Sequence, residues 1–171
     1  MMNAVEASER LIELVRGNDD IANHADGCDA GTMAAAESDL GVVFPPSYRR
    51  LIEEFGTWDV AGEEFFGVYQ TPAMGLELLG SVAETLDARN QYGMPSDLIA
   101  VMFDGMGGLI VLDSSLVDKQ GEYPVLVWNP GVVDRERMER LGDNFGSFAF
   151  ALCQRAVTRW RESGRSRNSG E

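Results

Sequence analysis

Two apolar runs separated by a glycine-rich turn restrict this chain more than any other feature. They are Leu98-Ile99-Ala100-Val101-Met102-Phe103 and Leu109-Ile110-Val111-Leu112-Asp113, joined by Asp104-Gly105-Met106-Gly107-Gly108. Both have strand length, and an Asp-Gly turn between apolar segments signals an antiparallel hairpin. A strand with one wet face alternates apolar and polar residues. Here the apolar residues are nearly continuous, so both faces need cover and the hairpin is expected mid-sheet, under helices or loops. Tyr123-Pro124-Val125-Leu126-Val127-Trp128-Asn129 reads as a third adjacent strand, with its proline at the start, where a missing N–H does least harm.

The covering layer is written as amphipathic helices. Tyr48, Leu51, Ile52 and Phe55 stand at i, i+3, i+4 and i+7, while Arg49, Arg50, Glu53 and Glu54 face water. Pro46 suits the first helical position and Gly56 the left-handed end. Ala4 to Arg16 reads as an earlier helix with Val5, Leu11, Ile12 and Val15 inward. Thr32 is expected to cap a helix from Met33 to Leu40, closed by Gly41, and the connector Val42-Val43-Phe44 is expected to be buried. Ser81-Val82-Ala83-Glu84 has the form of a capping box opening a helix to about Asn90, with Val82 and Leu86 inward and Gly93 and Pro95 ending it. The last helix is expected from near Asp143 to about Arg161, with Phe145, Phe148, Ala149, Leu152, Ala156 and Trp160 on one stripe.

Between the helices, Ile21 to Gly31 reads as a loop holding the lone histidine, His24, as surface decoration. Trp58 to Glu64 reads as a loop before a short strand over Phe65 to Tyr69. Gly131 to Gly142 reads as a solvated loop or helical turn. The fold class is therefore α+β: a single domain over residues 1–161 with its core in 33–152, built on a mostly antiparallel sheet of four to six strands. N-terminal and C-terminal helices flank that sheet. Residues 162–171 are too poor in apolar side chains to build a core and are expected to be disordered.

Charge narrows the partners. With a formal net charge of -14, nucleic acid and anionic membrane surfaces are poor partners, whereas a cationic partner is attracted. Surplus acid also keeps a protein soluble, and composition alone does not separate the two roles. Cys28 and Cys153, far apart in sequence, read as reduced thiols. Met1 to Arg16 carries Glu6, Glu9 and Glu13 and lacks the basic-then-apolar order of a signal peptide, so a cytoplasmic location is expected. The sequence has no Cys-x-x-Cys, His-Glu-x-x-His, Walker or dinucleotide motif, and one histidine and one lysine, Lys119, leave most acid/base and Schiff-base mechanisms without an agent. No cofactor or metal is expected. A carboxylate-only hydrolase stays open, although no spacing selects a pair from 28 acidic residues.

The block Glu37-x-x-Leu40-Gly41-x-x-x-Pro45-x-x-Tyr48, with Leu51, Gly56 and Gly67 after it, resembles the opening motif of the SUKH superfamily. This is a set of bacterial immunity proteins and eukaryotic regulators related to a yeast cell-wall-assembly regulator. Asp104, Gly105, Gly107 and Asp113 match that family's second motif, and the Pro124-Val125-x-x-Trp128-Asn129 stretch nearly matches a third. The likeness spans about Met33 to Leu152. It departs at Pro46, at Phe55 before Gly56, and at Gly108, where the family often carries aspartate. The resemblance implies a non-enzymatic binding protein that neutralises a toxin, often a nuclease, by stoichiometric occlusion. A regulatory scaffold docking on a cellular protein is the alternative. On the immunity reading the expected contact residues are aromatics ringed by acids: Trp58, Asp59, Glu63 and Glu64, with Asp104 in the hairpin turn. For Trp58 a core position is the competing reading, and for the acids plain solvation.

Overall fold

A computed structural model describes residues 2–168. In chain order it comprises α1 (Ala4–Arg16), β1 (Ala22–His24), α2 (Ala30–Leu40), α3 (Pro46–Phe55), β2 (Trp58–Val60), β3 (Glu63–Phe65), β4 (Val68–Tyr69) and β5 (Leu79–Gly80). There follow α4 (Ser81–Tyr92), β6 (Leu98–Phe103), β7 (Leu109–Asp113), β8 (Val125–Trp128), a 3-10 turn over Arg135–Arg137, β9 (Arg140–Gly142) and α5 (Phe145–Asn168). The strands form three antiparallel sheets, ordered β1-β2-β3, β4-β5 and β6-β7-β8-β9. The architecture is α+β, as the patterning indicates.

The β6–β7 hairpin is covered on both faces. Ile99, Val101, Ile110 and Leu112 pack into one cluster with Leu51, Ile52, Phe55 and Phe145 from α3 and α5. Leu98, Ala100, Leu109 and Val111 pack into a second with Ala88, Met94, Trp128 and Met138. Alternate residues of a strand face opposite ways, so a run that is apolar at every position requires two such clusters. Val101 is the extra residue of a bulge: Ala100 pairs with Val111 and Met102 with Ile110. Its carbonyl accepts from the Phe66 N–H at 2.9 Å instead, which fastens the end of the small β1-β2-β3 sheet to the large one.

A buried polar hub joins the helices. Ser47, in the first turn of α3, donates its backbone N–H to Glu122 Oε1 at 3.0 Å, and its hydroxyl donates to the same oxygen. That hydroxyl accepts from the Gly146 N–H of α5, and the Ser47 carbonyl accepts from Ser8 Oγ of α1. Pro45, at the helix entry, makes no side-chain cap, so Glu122 supplies one from 75 residues away. At the other end of the hairpin, buried Asp113 accepts from Arg135 Nε at 2.9 Å and from Ser115 Oγ at 2.6 Å, while Arg135 also holds Asp97. The 131–142 segment is thus anchored through Arg135, and it adds β9 to the sheet edge.

Several expectations are corrected. Ile21 to Gly31 contains β1, because Ala22 to His24 pair in register with Val60 to Trp58. The Trp58 loop is strand β2, and the strand placed over Phe65 to Tyr69 breaks at Gly67 into β3 and β4. Gly67 has φ +55°, and a Cβ there would lie 1.8 Å from the Gly56 carbonyl oxygen, so the chain turns where two glycines touch. Asp29, not Thr32, caps α2: its carboxylate accepts the Thr32 N–H at 2.8 Å. Ser81 forms no capping box, because it is the first residue of α4 and its hydroxyl donates to the Ala100 carbonyl. Thr85 and Ala88 are buried in α4, whereas Leu86 is only partly so. Val5, Val43 and Trp160 are exposed, since Ala4, Ala7 and Ser8 fill the α1 contact and α5 has run past the core by Trp160. Helix α5 continues to Asn168, because each added residue gains a hydrogen bond once a helix is nucleated. Residues 169–171 of the tail lie outside the described residues.

Candidate functional site

The outer face of the small sheet gathers acid. In antiparallel pairing, residues directly opposite share a face, and Asn23, Asp59 and Glu64 are so paired across β1, β2 and β3. Asn23 Nδ2 donates to Asp59 Oδ1 at 3.1 Å. Phe66, two residues beyond Glu64, continues that face. Its ring meets Phe103 edge to face, with centroids 4.8 Å apart and planes at 82°. Phe103 is 57% exposed at the end of β6, past the bulge and past the cover that buries the rest of the strand.

Helix α4 closes the other side. The Ala100 N–H donates to Thr85 Oγ1 at 2.9 Å and the Ala100 carbonyl accepts from Ser81 Oγ, so the first turns of α4 are fixed against β6. Glu84 is thereby set opposite the small sheet. The resulting cleft, about 460 Å³, is bounded by Asp59, Glu64, Phe66, Tyr69, Glu84 and Phe103. Burial, and then the charge of Asp87, push the Glu84 carboxyl above its ordinary value. Among the described residues Asp59, Glu64, Glu84 and Asp87 enter no ion pair. An apolar aromatic pair ringed by unneutralised carboxylates suits a surface that carries arginine or lysine.

The residues singled out from sequence separate into four placements. Asp59 and Glu64 come together on the groove. Glu63 points to the opposite face, where its charge, after burial, helps to raise the Cys153 thiol. Trp58 is corrected to a core residue: only 2% exposed, it stacks on Phe65 at 5.0 Å and meets Tyr48, Phe55 and Phe145, so a partner cannot reach its ring. Asp104 sits in the β6–β7 turn, where its Oδ1 accepts the Met106 and Gly108 N–H groups at 2.7 and 2.9 Å. Phe66, Phe103 and Glu84 were not singled out. The available signal was Phe103 itself, a large aromatic ending an apolar run directly before an Asp-Gly turn.

His24 lies exposed at the edge of the groove, its ring 4.6 Å from that of Phe55. Among the described residues no group of three or more His, Cys, Asp and Glu side chains could hold a metal ion, and no helix is long and apolar enough to cross a membrane.

A model of the SUKH_5 family, described as SMI1-KNR4 cell-wall, matches residues 5–153. No curated protein matches the chain.

Proposed function

The chain belongs to the SUKH_5 family, and on that premise we propose that it is a non-enzymatic binding protein that neutralises a cationic bacterial toxin domain by covering its surface. The observation that carries the reading is the cleft in which Asp59, Glu64 and Glu84 surround the Phe66–Phe103 pair. A nuclease presents basic surface to its substrate, and an acidic groove with an aromatic centre can occupy that surface in its place. The complex is one to one and involves no turnover. A net charge of -14 adds long-range steering toward such a partner.

Co-expression with the toxin encoded beside this chain's gene tests the proposal. Growth is rescued and the two chains co-purify in equal amounts. Rescue is lost in D59K/E64K while the far-UV circular dichroism spectrum stays unchanged. Folded D59K/E64K that still rescues growth removes the groove from the account. A neighbourhood with no toxin gene favours the regulatory-scaffold alternative, and the same surface variants then test docking on a cellular partner.

A further inference from the structure

A second cleft, about 430 Å³, adjoins the first and shares Glu84 and Phe103 with it. We propose that this cleft is a socket for a single arginine side chain presented by the partner. The proposal deepens the binding reading above and rests on it.

The walls fit a flat cation. Tyr92 of α4 is 52% exposed and Phe103 of β6 57%, and both line the cleft with the buried Trp128 at its floor. Glu84 and Asp87, three residues apart and therefore neighbours on one helical face, stand at the rim. Apolar faces accommodate the arginine stem and the plane of its guanidinium, while carboxylates take its charge.

Acceptors stand next to Gly108, which lines the cleft. A Cβ added at Gly108 would lie 2.6 Å from Asp104 Oδ2, 2.8 Å from Asn129 Oδ1 and 2.8 Å from the Trp128 carbonyl oxygen. Three oxygens from three residues thus converge beside a position that carries no side chain. Asp104 Oδ1 is taken by the turn N–H groups. Among the described residues, neither Asp104 Oδ2 nor the Asn129 side chain has a protein hydrogen-bond donor. Guanidinium presents five N–H donors in a plane and stacks on aromatic rings, whereas ammonium is a compact, strongly hydrated point charge; aromatic walls with dispersed acceptors therefore select arginine over lysine. Glu84 and Asp87, neither in an ion pair among the described residues, exclude anions, and Asp87 is oriented by the Gln91 amide at 2.5 Å.

The probe is N-acetyl-arginine amide, titrated into the full-length 15N-labelled protein and followed by two-dimensional 1H–15N NMR. The amide signals of Gly105, Gly107 and Gly108 shift saturably, the citrulline counterpart leaves them in place, and N-acetyl-lysine amide binds more weakly. E84Q/D87N, both on the outer rim and away from the core, weakens binding roughly tenfold, as loss of a charge-assisted contact requires. E84Q alone gives a smaller loss and serves as the readout if the double variant unfolds. Glycine signals that do not move, that move equally with citrulline, or that respond identically in E84Q/D87N overturn the socket. Shifts with the probe but no complex with the toxin retain the socket and remove the toxin-binding reading. A toxin complex without probe shifts does the reverse.

Discussion

Phe66, the residue after β3, and Phe103, the last of β6, meet edge to face at 4.8 Å, and the Phe66 N–H bonds the Val101 carbonyl of β6. This backbone bond and ring contact tie the end of β3 to β6, above a shared core, and Asp59, Glu64 and Glu84 line the cleft beside them. Phe103 is half in water whereas Trp58 and Phe65 beneath the small sheet are buried, so the proposed binding role of Phe103 is separable from stability.

Phe103→Ala is expected to lower stability by only about 1 kcal/mol, the scale of one exposed aromatic contact. The same change is expected to weaken toxin binding by about 2 kcal/mol or more, as a central hot spot does. Urea denaturation and isothermal titration calorimetry measure the two effects. Equal losses in both would make Phe103 a structural residue.

Glu122 caps α3 through Ser47 while only 1% exposed. Glu122→Ala leaves the buried Ser47 N–H without an acceptor and is expected to cost about 1–3 kcal/mol. Glu122→Gln keeps an acceptor oxygen and is expected to cost less.

The same carboxyl has a pH signature. Burial raises it above its ordinary 4.5, against the opposing Ser47 hydrogen bonds. Between 4.5 and the raised value the folded state holds a proton that the unfolded chain has released, so this group's contribution to stability falls as pH rises through that window. Wild-type stability relative to Glu122→Gln is therefore expected to decline from about pH 4.5 toward pH 7. Urea midpoints of the two proteins at both pH values check this, and a parallel trend would contradict it.

Asp113 is fully buried and accepts from Arg135 and Ser115. Asp113→Ala is expected to cost about 1.5–3 kcal/mol, the scale of a hydrogen bond to a charged group, because Arg135 is partly exposed and keeps Asp97. Protection of the β7 and β8 amides from hydrogen exchange should fall with it. A loss below about 1 kcal/mol would mean that Asp97 alone holds Arg135.

Sequence patterning reached the parts of this molecule in which local periodicity and tertiary packing agree. The hairpin at Leu98 to Asp113 and helix α3 are such parts, since their apolar positions, Phe103 and Met106 apart, are also core positions. It missed β1, β2 and β9 because three-residue strands carry too little alternation to be read, and β1 takes its partner from residues more than thirty positions along the chain. Ser81 and Thr32 misled for a related reason: each has the right spacing for a cap, yet Ser81 serves the Ala100 carbonyl across the fold and Asp29 reaches the α2 N–H groups first. At the groove, Asp59 and Glu64 were legible as an acidic cluster beside aromatics. Glu84 and Phe66 were not, because their placement depends on the Val101 bulge and on how α4 docks against β6.

On the proposed function, the Asp59–Glu64 face binds a cationic toxin. The most direct test of this is the dissociation constant of the complex for wild type and for D59K/E64K, measured by calorimetry at low and at physiological salt. The double reversal is expected to weaken binding on the order of 100-fold, and wild-type binding is expected to weaken as salt rises. Identical affinities for the two proteins, with no dependence on salt, would contradict it.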